Sequence, residues 1–403
     1  MNVIFLAQAR ITDVSIRDIY TDLLRKFRDE GHNVYVVSPR ERRYGQQTCL
    51  VDDNGIHLLG VKTLNLQKTN VVEKGIGTIL FENQFKNAIK KYLKDITFDL
   101  ILYATPPITF TAVIRYLKSR NPKAVTYLLL KDIFPQNAVD LGMMSTKSPL
   151  YKFFRKKEKN LYRISDYIGC MSPANVEYVL AHNDIDRNKV EVNPNSIEVV
   201  DCNISDEEKK EIRKKYGLPI DKPIFIYGGN LGKPQGIDFL IQCLQANINR
   251  EDCYFLIVGS GTEYDKLKQW FDKSKPKSAL LLSALPKSDY DKLVRSCEIG
   301  LIFLDRRFTI PNFPSRILSY LENKMPVIAV TDPNTDIGEI ICKNRFGYSC
   351  LHGDLNKFNE LISRIIVSKE EMSKMGESGF QYLLNHYQVQ RSYQIIMKHC
   401  KEI

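Results

Sequence analysis

Apolar positions in this chain fall into short runs separated by stretches with helical spacing. Residues 2–7 (NVIFLA) form the first run. Ile16, Ile19, Tyr20, Leu23, Leu24 and Phe27 then line one face of a helix, Gly31 ends it, and 34–37 begins a second strand. Runs at 98–104, 124–130 and 166–171 predict three further strands, with helical patterns over 83–94, 107–120 and 150–163. The second half repeats the order. Strands are expected at 223–228, 253–258, 279–283, 299–304 and 326–330, and helices at 236–246, 263–272, 288–296 and 315–323. A long polar helical pattern covers 368–401. Alternating strands and helices of this kind predict α/β architecture, with parallel sheets covered by helices on both faces.

The segment 199–222 is charged and carries few apolar residues, so it reads as a linker. It divides the chain into a first domain over 1–198 and a second over 223–380. A C-terminal helix over 381–403 is expected to return to the first domain. Two α/β halves on one linker predict a cleft between their sheet edges. In open α/β sheets ligands bind outside the carboxyl ends of the strands, so the loops after strands are where chemistry is sought.

A length of 403 residues suits two domains. With 43% apolar and 26% charged residues, the composition excludes a disordered, collagen-like or disulfide-scaffold chain. No run approaches the roughly 18–20 uninterrupted apolar residues of a membrane span. The opening MNVIFLAQAR has no basic region and reads as a strand rather than a signal peptide. Nine scattered Cys and six scattered His give no metal-ligand spacing, and they fit reduced thiols in a cytoplasmic protein. The net charge of +11 is uneven: residues 1–200 hold 29 basic and 21 acidic side chains, a surplus of 8. Anionic partners are therefore expected: phosphates, nucleic acid or an acidic membrane surface. No nucleic-acid-binding signature accompanies the charge.

Four segments carry candidate chemistry. In 224–236 (IFIYGGNLGKPQG) a strand runs into glycines and a helix start, and Lys233 adds a cation; such a loop can hold an anion with backbone N–H groups, or serve only as a tight turn. FLIVGSG (255–261) is a second strand-to-helix glycine turn. In 311–319 (PNFPSRILS), Ser315 is the expected N-cap and Arg316 lies in the first helical turn, where both could meet a diphosphate. In the first half, Lys131 and Asp132 directly follow a buried strand, and Gln8, Arg10 and Asp13 follow the first strand. The segment 150–163 (LYKFFRKKEKNLYR) mixes aromatic and basic residues. It reads either as an interfacial helix on an anionic membrane or as a core-packed helix with a solvated basic face.

The order of these motifs resembles the two-Rossmann GT-B glycosyltransferases of glycosyltransferase family 4, in particular the bacterial capsule and O-antigen polysaccharide transferases. The likeness runs through EGHNVYVVS, KDIFP, CMSPANVEYVL, NPNSIEVVD, YGGNLGKPQG, FLIVGSGTEYDKL and FPSRILSYLENKMPVIAV. It implies metal-independent transfer of a sugar, an N-acetylated amino sugar, from a UDP-sugar donor to a polyprenyl-diphosphate-linked saccharide acceptor. Retention at the anomeric carbon is implied, with no cofactor, on the inner face of the cell membrane. Mapped by motif, Gly229, Asn230, Lys233, Gln235, Gly259, Gly261, Ser315, Arg316 and Ser319 fall at donor positions. Gln8, Arg10 and Asp13 fall at acceptor positions, and Lys131 and Asp132 near the reacting sugar.

The chain also departs from the family pattern. Asn230 and Gln235 stand where the family has Arg and Lys, Pro311 and Ser319 where it has two Glu, and Lys131 where it has His; Glu322 lies one helical turn beyond the second Glu position. Two other readings follow from these losses: a non-catalytic nucleotide-sugar-binding scaffold, and a GT-B nucleotide-sugar epimerase.

Overall fold

The computed structural model describes residues 1–66 and 71–400. The chain divides into two compact units, Met1–Glu198 with Gln388–Ile403, and Val199–Tyr387.

The first unit contains β1 (Asn2–Leu6), α1 (Thr21–Asp29), β2 (Asn33–Glu41), β3 (Cys49–Asp53), β4 (Ile56–Thr63), α2 (Val71–Tyr92), β5 (Leu100–Ala104), α3 (Thr111–Arg120), β6 (Val125–Leu130), α4 (Gln136–Asp140), α5 (Pro149–Ile164), β7 (Tyr167–Cys170), α6 (Pro173–His182) and β8 (Val190–Val192). The second contains α7 (Asp206–Lys215), β9 (Ile224–Asn230), α8 (Ile237–Ala246), β10 (Tyr254–Ser260), α9 (Tyr264–Ser274), β11 (Ala279–Ser283), α10 (Lys287–Arg295), β12 (Ile299–Phe303), α11 (Arg316–Glu322), β13 (Val327–Thr331), α12 (Ile337–Lys343), β14 (Gly347–Leu351), α13 (Leu355–Ile365) and α14 (Lys369–His386). The last helix, α15 (Val389–Met397), belongs to the first unit.

Both sheets are doubly wound. The first has the order β3-β4-β2-β1-β5-β6-β7-β8 and is parallel except where β3 runs against β4. The second, β11-β10-β9-β12-β13-β14, is parallel throughout. Strand order reverses beside β1 in one and β9 in the other, so the loops after these strands open at the switch points, where α/β sheets receive ligands. The central strands are buried on both faces, which explains their unbroken apolar runs: β5, β6, β12 and β13 have no exposed residue. Phe225, Tyr227, Phe255, Phe303 and Phe358 anchor the core of the second unit, and Phe5, Phe27, Leu102 and Tyr127 that of the first.

Several boundaries differ from the sequence expectation. α1 starts at Thr21, because the Asp18 carboxylate accepts the N–H groups of Tyr20 and Thr21, and Ile16 is left 51% exposed outside the helix. The strands β3 and β4 are an addition, joined at Asn54–Gly55, where φ is 51° and 78°. The expected linker is a folded part of the second unit. Ser205 caps α7 in a reciprocal box with Glu208. Arg213 is buried and donates to the carbonyls of Ser296, Pro219, Ile220 and Lys222 and to both oxygens of Glu298. The long pattern 368–401 is two helices, broken at Tyr387–Gln388. Residues 401–403, the end of the expected C-terminal helix, lie outside the described residues. α12, β14 and α13 fill 337–365, where no elements were predicted.

Candidate functional site

In the second unit the site is built from glycine. Gly229, the penultimate residue of strand β9, has φ 119°, a conformation L side chains rarely adopt. A Cβ on Gly259 would overlap the Gly229 carbonyl oxygen, and one on Gly261 would overlap the Leu231 backbone. The two glycine turns are thus one packed unit, closed by Leu231 N–H donating to Ser260 O (2.9 Å) and Glu263 N–H donating to Leu231 O (2.9 Å). Gly259 and Gly261 have a packing reason to be glycine, independent of any ligand.

Asn230 and Gln235 come together. The Asn230 amide donates to Gln235 Oε1 at 3.0 Å, and Gly232 N–H donates to the same oxygen at 3.2 Å. Where the family carries two cations, this chain carries a self-satisfied amide clasp. Lys233 projects into solvent and has no ion-pair partner among the described residues. The Asp305 N–H donates to Pro234 O (2.9 Å), tying the loop after β12 to the loop after β9 at the switch point.

Arg316 opens α11. Its Nη1 donates to Gly228 O at 3.0 Å, and its guanidinium lies 4.2 Å from the centroid of the Tyr227 ring. A Cβ on Gly229 would lie 3.9 Å from that guanidinium. No carboxylate pairs with Arg316 among the described residues, so a fixed positive charge faces the exposed Gly229 turn. Ser315 sits at the N-cap position without a side-chain cap hydrogen bond, and α11 is only seven residues long. The helix terminus is therefore shorter and less capped than the sequence suggested, whereas Arg316 is firmly held. Ser319 is half-buried on α11. Glu322 is turned away from the loop: it is buried and accepts the Val200 N–H at 3.1 Å.

In the first unit Lys131 and Asp132 follow β6. The Thr105 hydroxyl accepts both of their N–H groups, at 3.0 and 3.3 Å, joining the ends of β5 and β6. The two side chains are held apart rather than paired. Lys131 Nζ donates to Asn193 O (3.4 Å), and both Asp132 carboxylate oxygens accept from the Asn137 amide (2.9 Å). Burial pushes the Lys131 ammonium down to about 7. Burial pushes the Asp132 carboxyl up to about 6, against the stabilising hydrogen bonds from Asn137 and Ile133. Behind Lys131, Asn193 is fully buried: its amide donates to Tyr127 Oη (3.0 Å), and its Oδ1 accepts from Ser392 on α15 (2.7 Å).

The expected acceptor side chains are more dispersed. Gln8 is half-buried, Arg10 stacks on the Tyr44 ring at 4.0 Å, and the Asp13 carboxylate accepts the N–H and hydroxyl of Ser15. Those hydrogen bonds hold the Asp13 carboxyl below its usual range. Sequence reasoning missed Thr105, Asn137 and Asn193, whose roles come from long-range contacts. It also missed the tyrosines around Arg316. Among the described residues no three His, Cys, Asp or Glu side chains gather as metal ligands, and no helix is long and apolar enough to cross a membrane.

Comparison with known proteins agrees with this layout. Residues 19–200 match the family model described as Glycosyltransferase Family 4, and residues 208–382 match Glycosyl transferases group 1. A probable glycosyltransferase, WbjE of Pseudomonas aeruginosa, is 23% identical over 267 residues, covering 64% of this chain and 64% of its own length. Among solved structures, sucrose-phosphate synthase from Thermosynechococcus elongatus superposes with a TM-score of 0.76 at 14% identity, covering 100% of this chain and 99% of that one. Anabaena HepE in complex with UDP superposes with a TM-score of 0.70 at 15% identity, covering 100% of both chains. These structural likenesses speak for the fold. With a family 4 model matched by its first half and a group 1 model by its second, on two Rossmann-like units, the chain is a GT-B fold glycosyltransferase related to these families.

Proposed function

We propose that this protein transfers a sugar from a UDP-sugar to a polyprenyl-diphosphate-linked saccharide during capsular or O-antigen polysaccharide synthesis, with retention at the anomeric carbon. The donor sugar is proposed to be an N-acetylated amino sugar. The observation that carries the reading is Arg316: a guanidinium with no carboxylate partner among the described residues, hydrogen-bonded to Gly228 O beside the exposed Gly229 turn. As the sugar leaves, negative charge grows on the nucleoside diphosphate. A fixed guanidinium and backbone N–H groups stabilise that charge without reorganising. In this reading Arg316, Gly229, Lys233 and Ser315 receive the phosphates and Ser319 the ribose. The Asn230–Gln235 clasp and the packed Gly259 and Gly261 hold the loop in shape. Lys131 and Asp132 act at the reacting sugar, and Gln8, Arg10 and Asp13 at the acceptor. HepE, solved with UDP and with UDP-glucose, supports a uridine donor.

Attachment to an anionic membrane surface is part of the same proposal. Met143, Leu150 and Phe153 are 65%, 54% and 49% exposed, and Lys147, Lys152 and Lys156 beside them are exposed as well. Apolar side chains within a basic surface suit an acidic headgroup layer. The rest of α5 packs inward through Glu158, Leu161 and Tyr162.

The test is an assay of purified protein with a panel of UDP-sugars and a polyprenyl-diphosphate-linked acceptor. Transfer from one donor supports the reading. UDP binding without transfer to any acceptor favours a scaffold, and interconversion of donors without acceptor favours an epimerase.

A further inference from the structure

Three tyrosines surround Arg316, and they are not equivalent. The Tyr227 hydroxyl donates to Asn230 O at 2.8 Å. The Tyr320 hydroxyl lies 3.2 Å from both Ile226 O and Leu301 O, and it accepts the Gly228 N–H at 3.4 Å. These two phenols are engaged in holding the end of β9. Tyr290, from α10, packs directly on Gly228: a Cβ there would overlap its hydroxyl and ring edge. Yet among the described residues the Tyr290 hydroxyl has no hydrogen-bond partner.

Tyr290 is only partly buried, and that oxygen is not sealed inside the protein. A tyrosine whose ring is packed on Gly228 while its hydroxyl stays unengaged has a donor to offer a ligand. Burial raises the Tyr290 phenol well above its ordinary range, the Arg316 charge opposing, so it stays protonated and can donate. Gly228 is the residue across which it must reach. The absent side chain there leaves room for the phenol on one side, and the Gly228 carbonyl holds Arg316.

We propose that Tyr290 is a second side chain, with Arg316, that binds the diphosphate of the donor, its hydroxyl donating to a phosphate oxygen beside Gly228. The proposal rests on the donor-site reading given above. It adds a binding residue that lies outside the glycine loops and outside α11.

The test is calorimetric titration of the full chain with UDP and with uridine, for wild type, Tyr290→Phe and Arg316→Ala. Phenylalanine keeps the ring against Gly228 and removes only the hydroxyl; a thermal melt checks that the fold is unchanged. A lost hydrogen bond to a charged acceptor predicts UDP binding about tenfold weaker in Tyr290→Phe, with uridine binding unaltered. UDP affinity within twofold of wild type would overturn the proposal. So would an equal loss for UDP and uridine, which would move the hydroxyl to the nucleoside. If Arg316→Ala binds UDP as wild type does, or wild type binds none, the donor-site reading itself fails, independently of Tyr290.

Discussion

The carboxyl edges of the two sheets solve different problems. At the end of β9 the candidate site is backbone: glycines pack so closely that no Cβ fits at Gly259 or Gly261, and the Arg316 guanidinium is fixed beside Gly228 and Gly229. At the end of β6 the candidate site is side chain. Lys131 and Asp132 are each half-buried and held by separate amide groups, and burial brings their titration to about 7 and about 6. A backbone site is suited to a constant, highly charged group. A site of shifted side chains is suited to chemistry that varies with protonation.

The sharpest way to break this contrast is to add one methyl group. Gly259→Ala drives a Cβ into the Gly229 carbonyl, and it should destabilise the protein by about 3 kcal/mol in urea unfolding and abolish UDP binding. The same change at Gly142 of the first unit meets open space and only a φ of 69°, so it should cost about 1 kcal/mol. Next, Lys131→Met should lower kcat roughly 100-fold while leaving UDP affinity unchanged. Because Lys131 loses its proton near pH 7, activity that depends on its charge should fall as pH rises past about 7. In Lys131→Arg that limb should disappear from the pH profile.

Stability gives the same residues an opposite pH signature. The Asp132 pKa is raised by folding, so its contribution is present below the unfolded value near 4 and is lost as pH rises through about 6. The Lys131 pKa is lowered, so its contribution is present above the unfolded value and is lost as pH falls toward about 7. Urea midpoints across pH should therefore dip between about 6 and 7. Asp132→Asn should remove the acid-side fall, and Lys131→Met the alkaline-side rise. Arg316→Ala should weaken UDP binding by about 1.5–3 kcal/mol in calorimetry. The smallest effect belongs to Ser315→Ala: without a cap hydrogen bond to lose, stability should change by less than about 0.5 kcal/mol.

Most strands were legible because central parallel strands are buried on both faces and so read as apolar runs, as at FDLILYA and IGLIFL. The hairpin of β3 and β4 was passed over although Asn54–Gly55 is a strong turn signal, because CLVDD is a short, exposed edge strand without alternation of apolar and polar positions. Helix α7 was hidden by its own charge. Only Arg213 is buried on it, and an arginine does not announce a core position. The break at Tyr387–Gln388 has no Gly or Pro to mark it; it is set by where α15 docks, through Val389, Ile396 and Ser392. The glycine loop and Arg316 could be located by motif. The Asn230–Gln235 clasp, the separate holders of Lys131 and Asp132 and the open Tyr290 hydroxyl could not, since each depends on residues brought together by the fold.

The most direct test is a crystal structure of the protein with UDP. The diphosphate should lie against the Gly229 turn with a phosphate oxygen in hydrogen-bond contact with Arg316. UDP bound elsewhere, or a diphosphate that leaves the Arg316 guanidinium untouched, would contradict the account.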